Sequence, residues 1–386
     1  IRTRLMGAGV YDHGYVTGYE RLTDHLSDYM SGGEGPRHRL WRIRADRIVT
    51  ATGAIERPLA FAGNDVPGVM LAAALRDYVA LYGVTAGDRT VVITNNDDAY
   101  RTAIALKRAG LEVPVILDTR DAAIGPLPRQ ARDLGIRVEL GKGIATVKGG
   151  KKVEAVEICS QAGEGSVLET IPCDAVAMSG GWSPVVHLWS HCGGKLVWDT
   201  DQSHFRPDPD RPPTGHDGAG FVLTAGAASG ALHATDTMPD AAAAGRRAAR
   251  ELGFTPSDTA APTANAEAEE PLQPVWMMPA GASYKLRSKA FLDFQNDVKV
   301  SDVQLAAREG FESVEHAKRY TTLGMATDQG KLSNINGLAV LADSLGTTIP
   351  QVGTTTFRPP YTPISMGSIA GAARGPLFKP LRKSPM

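Results

Sequence analysis

One stretch constrains the fold more than any other. Thr90-Val91-Val92-Ile93-Thr94 is followed by a polar turn, a helical pattern over Tyr100–Ala109, Gly110, and a second apolar run, Val113–Leu117. A short β-branched run reads as a strand, and Gly110 suits the position just past a helix end. Strand, helix, strand in this order is a βαβ unit. Repeated along the chain, such alternation predicts an α/β fold with a mainly parallel sheet.

The turn inside that unit has unusual chemistry. A dinucleotide site there calls for G-x-G-x-x-G, so that backbone amides approach a pyrophosphate at the helix N-terminus. This chain has Thr94-Asn95-Asn96-Asp97-Asp98-Ala99-Tyr100-Arg101 instead. It contains no glycine, and two carboxylates stand where a phosphate would sit. The expectation is that no nucleotide binds at this turn. Asp97 and Asp98 are read as cap and first-turn residues matched to the helix dipole.

Other segments fit the same plan. Residues 41–53 read as a strand running into a tight turn, and 68–83 as a helix with Val69, Leu71, Leu75, Val79 and Leu81 apolar. Residues 136–158 alternate like a hairpin with Gly149-Gly150 at its turn. Residues 171–182 form a strand ending in a glycine pair. Residues 220–252 give a strand, a Gly/Ala-rich turn and an Ala-rich helix. Residues 255–274 are polar, low in complexity and read as a solvent-exposed linker. A last unit starting near Ser283 carries helices over Ser301–Glu309, Ser313–Tyr320 and Asn336–Leu345, with Val303, Leu305, Ala306 and Ala307 on one apolar face. No internal repeat is present.

Composition excludes several classes of function. The net charge of −1 gives no footprint for a nucleic acid or an anionic membrane surface, and no 18-residue apolar run marks a membrane span. Cys159, Cys173 and Cys192 lack CxxC or CxC spacing, so they are read as small apolar residues in a reducing, cytoplasmic protein. His187 and His191 are spaced i,i+4 but have no third ligand, and the expected metal set is none. No nucleophile elbow and no framed carboxylate pair appears, so no catalytic residues are assigned. Ile1 and the basic, Pro-rich phrase ending at Met386 read as cut ends of a longer polypeptide.

Two phrases carry resemblances. Ala51-Thr52-Gly53, within RIVTATGAIERPLAFAGNDVPGV, resembles the second dinucleotide motif of two-dinucleotide-domain flavoproteins. In that family the counterpart of Ala225-Gly226-Ala227 carries an aspartate for the ribityl chain of FAD, which is missing here. The second phrase, residues 290–333, resembles the small helical [2Fe–2S] domain of bacterioferritin-associated ferredoxins and amino-acid-oxidising flavoenzymes. Its four thiolate positions fall at Asp293, Gln295, Asp328 and Ser333, and none of these is a cysteine. A cluster needs soft thiolate ligands, so the frame is expected without the metal. The phrases FLDFQNDV, VEHAKRYTTLGMATDQGK and NINGLAVLADSLG are similar to the α subunits of heterotetrameric sarcosine oxidases.

That resemblance implies a two-dinucleotide-domain α/β fold with a small α-rich C-terminal domain. The implied division is 1–66 as part of a split dinucleotide-binding domain, 67–185 as an inserted domain of the same type and 186–254 as the return of the first. Then come a linker over 255–283, a degenerate ferredoxin-like unit over 284–365 and a linker over 366–386 toward a folate-binding domain. It implies NAD bound by Ala51, Gly53, Gly226, Ala227 and Leu232. It also implies FMN at the boundary with a β subunit, for which Thr321, Thr322, Gln329, Gly330 and Lys331 supply hydroxyls, an amide and an ammonium. The run Gly353–Arg358 has similar donors. FAD and tetrahydrofolate belong elsewhere in a complex with β, γ and δ subunits that oxidises sarcosine with oxygen. The alternatives are a related opine oxidase or hydrogen cyanide synthase subunit, or a non-catalytic dinucleotide-fold assembly module.

Overall fold

In the computed structural model the described residues are 1–27, 35–257, 259–355, 357–360, 362–371 and 383–385. Thr356 and most of the 366–386 stretch lie outside them. The chain opens with β1 (Leu5–Tyr11), β2 (Tyr15–Arg21) and β3 (His38–Arg44), an antiparallel sheet in which β2 is central. Then come β4 (Ile48–Thr50), β5 (Ala54–Glu56), β6 (Val69–Leu71), α1 (Ala72–Tyr82), β7 (Thr90–Thr94), α2 (Asp98–Arg108), β8 (Ile116–Asp118), α3 (Pro126–Asp133) and β9 (Val138–Leu140). An antiparallel meander follows, made of β10 (Lys142–Lys148), β11 (Ala155–Ser160) and β12 (Glu169–Pro172), and it leads to β13 (Ala175–Ser179).

The central sheet has the order β6-β13-β7-β8-β9, and every pairing in it is parallel. The run β9-β8-β7-β13 has the order of half a dinucleotide fold. All five residues of β7 are buried, as the uninterrupted β-branched run requires of a strand covered on both faces. One face packs Val92, Ile116 and Ala177 against Leu75, Tyr100 and Leu106 of the helices. The other packs Val91, Ile93, Leu117 and Met178 against Ile144, Val156 and Ile158 of the meander. The inserted unit is thus helix, parallel sheet, antiparallel sheet, in three layers.

Four segments differ from their sequence reading. The single strand read over 41–53 is the end of β3 and then β4, and that read over 171–182 is the end of β12 and then β13. The other two follow one cause. The helix expected over 68–83 begins at Ala72, because Val69–Leu71 pairs with β13 as an edge strand. The hairpin expected over 136–158 is Lys142–Ser160, because Val138–Leu140 joins β8 in the parallel sheet. In both cases pairing with a distant strand overrides a local pattern.

Beyond β13 the chain runs through β14 (Trp182–Pro184), α4 (His187–His191), β15 (Leu196–Asp199), β16 (His204–Pro207), β17 (Val222–Thr224) and α5 (Ala234–Glu251). β14 pairs antiparallel with β5, and β17 pairs parallel with β4. The C-terminal unit holds α6 (Tyr284–Arg287), the short pair β18 (Phe291–Asp293) and β19 (Val298–Lys299), α7 (Val300–Arg308), α8 (Val314–Thr321) and α9 (Asn334–Ser344). Its core is Leu292, Val303, Ala306, Val314, Leu338 and Leu341. Leu305, read as part of the apolar face, is exposed. Asn64 docks this unit: its side chain donates to Phe291 O (2.8 Å) and accepts from Phe291 N (2.9 Å). Asn336 Nδ2 adds a bond to Pro58 O.

Candidate functional site

The four positions read as lost thiolates meet in space. Asp293 is buried at the end of β18. Its Oδ1 accepts from Gln295 N (2.9 Å) and Asn296 N (3.0 Å), which closes the turn after the strand. Its Oδ2 accepts from Gly324 N (2.7 Å) and, more weakly, from buried Ser333 Oγ (3.5 Å). Gln295 Oε1 accepts from Thr327 Oγ1 (3.1 Å) and lies 3.5 Å from Asp328 N. Asp328 in turn accepts from Gly330 N through Oδ1 (3.0 Å). Two loops about 30 residues apart are therefore tied by hydrogen bonds from the side chains of Asp293, Gln295 and Ser333, with Asp328 joining through its amide and bracing its own loop through its carboxylate. Among the described residues no group of three or more His, Cys, Asp or Glu could hold a metal ion.

The loop read as an FMN contact spends its donors inside the fold. Thr321 Oγ1 donates to Ala317 O, Thr322 is the left-handed C-cap of α8, and Gln329 Nε2 donates to Ala326 O. The Gly330 amide, read as a ligand donor, is held by Asp328. Gly330 itself has φ +75°, and a Cβ there would stand 2.1 Å from Asn334 Oδ1. Lys331 is half-buried and its pKa is lowered by desolvation. Gly330 and Lys331 line a cavity of about 70 Å³ with His187, Asn334, Thr355 and Phe357, where the C-terminal unit meets α4. His187 packs on Phe357 with ring centroids 4.0 Å apart, and burial lowers its pKa to about 3. It is a neutral, buried histidine at physiological pH.

The residues read as NAD contacts converge at the carboxyl ends of the paired strands β4 and β17. Thr50 pairs with Thr224, and Ala225 N donates to Thr50 O (3.0 Å), so Ala51 and Gly53 leave one strand beside Gly226 and Ala227 leaving the other. Gly53 has φ +76° with nothing within 4 Å of where a Cβ would be, so backbone is accessible there. Ala227 and Leu232 line a cleft of about 920 Å³, with Ala54, Gly181, Trp182 and Gln202 among its other walls. The volume is that of a cofactor site.

Sequence reading missed a carboxylate here. Asp240 on α5 accepts from Gly226 N (2.6 Å) and Ser229 Oγ (2.9 Å), so an aspartate does bond this turn, from 14 residues further along. It also occupies the Gly226 amide that the NAD reading assigned to the cofactor.

The turn after β7 also departs from its reading. Asp97 stands at the N-cap of α2, but its side chain makes no capping bond. Its Oδ1 accepts from Arg120 Nη2 (2.6 Å), and Arg120 also grips Asp118, in a buried triad. A guanidinium in a low-dielectric core outcompetes an amide for the carboxylate. Asn96 Oδ1 takes over the local role by accepting from Asp98 N (3.0 Å). Asp98, in the first turn, pairs with Arg76 and Arg101.

Most of 255–268 is exposed, as a linker reading requires, but the end of the segment, residues 269–273, is docked on this turn. Glu270 N donates to Asp97 Oδ2 (2.9 Å), Gln273 N to Asn95 O (3.3 Å), and Glu270 Oε2 accepts from Ile124 N (3.0 Å). Glu269 bridges Arg101 of α2 and His233 before α5. This strap covers the place where a phosphate would approach the turn.

Comparison with known proteins follows the same lines. Residues 287–373 match the family model described as the sarcosine oxidase A3 domain. The α subunit of sarcosine oxidase from Rhizobium meliloti (strain 1021) is 41% identical over 389 residues, covering all of this chain and 37% of that protein. The chain thus spans less than two-fifths of the length of that relative. An opine oxidase subunit of Rhizobium meliloti is 25% identical over 367 residues, covering 85% of this chain and 66% of the other. Among solved structures, L-proline dehydrogenase from P. horikoshii superposes with a TM-score of 0.67 at 20% identity, covering 96% of this chain and 64% of that one, which is a likeness of fold. No helix of the described residues is long and apolar enough to cross a membrane. The chain is a homologue of sarcosine oxidase α subunits along its whole length, with a sarcosine oxidase A3 domain at 287–373.

Proposed function

We propose that this chain is the dinucleotide-fold and A3 portion of a sarcosine oxidase α subunit, working with β, γ and δ subunits in the oxidative demethylation of sarcosine. The observation that carries the reading is the polar knot of Asp293, Gln295, Asp328 and Ser333. It keeps two loops in place without metal, so the A3 unit acts as scaffold and not as electron carrier. In this reading NAD sits in the cleft at the ends of β4 and β17, against Ala227 and Leu232, with open backbone at Gly53. FMN contacts the face of the A3 unit that carries Lys331. FAD and tetrahydrofolate bind outside this chain, so its own residues hold and orient but carry no catalytic step.

The test is co-expression of the full-length α subunit with its companion chains. Sarcosine-dependent oxygen uptake, an iron content far below one atom per complex, and a flavin spectrum without iron–sulfur absorbance are expected. Turnover of an opine in place of sarcosine, or a stoichiometric cluster, would overturn the reading.

A second reading, a dinucleotide fold kept only for assembly, is favoured by the strap that covers the turn after β7. Nucleotide released on denaturing the full-length subunit decides between them. A stoichiometric amount removes the assembly-only reading.

A further inference from the structure

One wall of the large cleft belongs to no helix or strand. Residues 265–270 and Leu272, which line it, lie in the strap between α5 and α6. The other walls come from both dinucleotide-type units: Asn96, Asp98 and Arg101 from the inserted one, Ala227 and Leu232 from the other. The strap therefore closes a space of about 920 Å³ that the two units leave between them.

The strap is held unevenly. Its downstream end is seated in the fold. Glu270 N donates to Asp97 Oδ2 and Gln273 N to Asn95 O. Leu272 fits against Gly181, where a Cβ would stand 3.2 Å from its methyl carbons, and Glu270 fits against Gly125. Upstream, Arg246 Nη2 donates to Thr259 O. Between these ends no hydrogen bond or ion pair among the described residues reaches residues 260–268. Residues 265–268 are exposed although they line the cleft.

Glu269 sets where this span lies. Its Oε1 accepts from Arg101 Nη1 on α2, and its Oε2 lies 3.7 Å from His233 Nδ1 just before α5. One carboxylate thus ties the strap to both units at once. The side chains of Glu269 and Arg101 are 21% and 28% exposed, so water competes for the bond. Such a contact holds a segment closed and still lets it open.

We propose that residues 260–268 form a flap over the cleft, with Glu269 as its latch, and that flap opening sets how fast the cleft exchanges its ligand. The flap and latch stand on geometry alone; only the identity of the ligand rests on the NAD reading. A gate of this kind has its own kinetic signature. Breaking the latch raises the open fraction, so association and dissociation quicken by the same factor and Kd is unchanged. Loss of a residue that only contacts the ligand raises Kd through dissociation.

The test uses the full-length α subunit in its complex. Ala227→Cys places a thiol on the cleft wall, and its alkylation by neutral iodoacetamide reads access without any nucleotide. Glu269→Gln removes the latch. Glu267→Gln removes the same charge from a flap side chain that makes no bond. Alkylation of A227C is expected to be about 5-fold faster with E269Q and unchanged with E267Q, the population shift given by loss of a partly exposed ion pair. Without the added cysteine, strap amides over 265–270 should exchange faster in E269Q by a similar factor while amides of β7 do not, and the association and dissociation rates of NAD should both rise about 5-fold. Alkylation and amide exchange equally fast with and without E269Q, or a rise of the same size in E267Q, overturns the flap. So does an NAD dissociation rate that quickens in E269Q with association unchanged. A wild type that takes no NAD overturns the nucleotide reading, and the alkylation and exchange rates then decide the flap by themselves.

Discussion

Asp293→Ala tests the knot directly. The substitution leaves four donors without their acceptor: the amides of Gln295, Asn296 and Gly324, and the Ser333 hydroxyl. They do not count equally. Gln295 is exposed and Asn296 partly so, and water can replace the carboxylate there. The Gly324 amide and Ser333 Oγ are buried. A buried donor stripped of a charged partner costs about 2–3 kcal/mol, and the long Ser333 contact adds about 1 kcal/mol at most. The expected loss is therefore about 3–4 kcal/mol, with Asp293→Asn, which keeps one accepting oxygen, near half of that. Gln295→Ala removes only exposed bonds and should cost under about 1 kcal/mol. Native-state hydrogen exchange reads this locally: the Gly324 amide should lose protection in D293A by a factor of about 100 or more, while amides of β7 stay protected. Urea unfolding supplies the global value. Loss of less than about 1 kcal/mol in D293A, or an unprotected Gly324 amide in the wild type, would refute the claim that this carboxylate holds the two loops together.

Burial raises the pKa of Glu56 to about 7, against hydrogen bonds from Ser179 and the Ala73 amide. A carboxyl whose pKa is higher folded than unfolded binds its proton more tightly in the native state, so stability should fall as pH rises from about 4.5 to 7, by about 3 kcal/mol. Glu56→Gln should flatten that slope in urea midpoints measured across the range. Arg120→Met leaves Asp97 and Asp118 buried without their cation and should cost about 3–5 kcal/mol in equilibrium unfolding. Asp97→Asn, which weakens the hold on Glu270 N, should expose the strap near residues 265–272 to limited proteolysis at rates several-fold above wild type. Gly330→Ala must fit a Cβ at φ +75° against the Asn334 side chain and should destabilise by about 2 kcal/mol or more, visible as a lower Tm.

Much of this molecule was determined locally in the sequence. The β-branched run 90–94, the helix ending before Gly110 and the strand at 175–179 are written in residues a few positions apart, and so are the three helices of the last unit. Periodicity and turn chemistry act over such distances, so these segments could be read without knowing their neighbours. That none of the four positions read as thiolate sites is a cysteine was likewise legible, because ligand chemistry is a property of residue type.

Tertiary structure decided whatever depended on a distant partner. Val69–Leu71 became a strand because β13, more than 100 residues on, offered a free edge. Asp97 abandoned its helix for Arg120 and for a linker amide 173 residues away. The turn at Gly226 found its carboxylate in Asp240 on α5, where sequence showed only an alanine in the expected place. Arg57 reads in sequence as one charge between a strand and an apolar run, and only packing shows it buried with no carboxylate among the described residues paired to it. In the first three cases a backbone edge, a charge or a turn amide found its partner in a distant residue, and Arg57 is buried without a carboxylate partner among the described residues; desolvation is an energy that a linear pattern does not display.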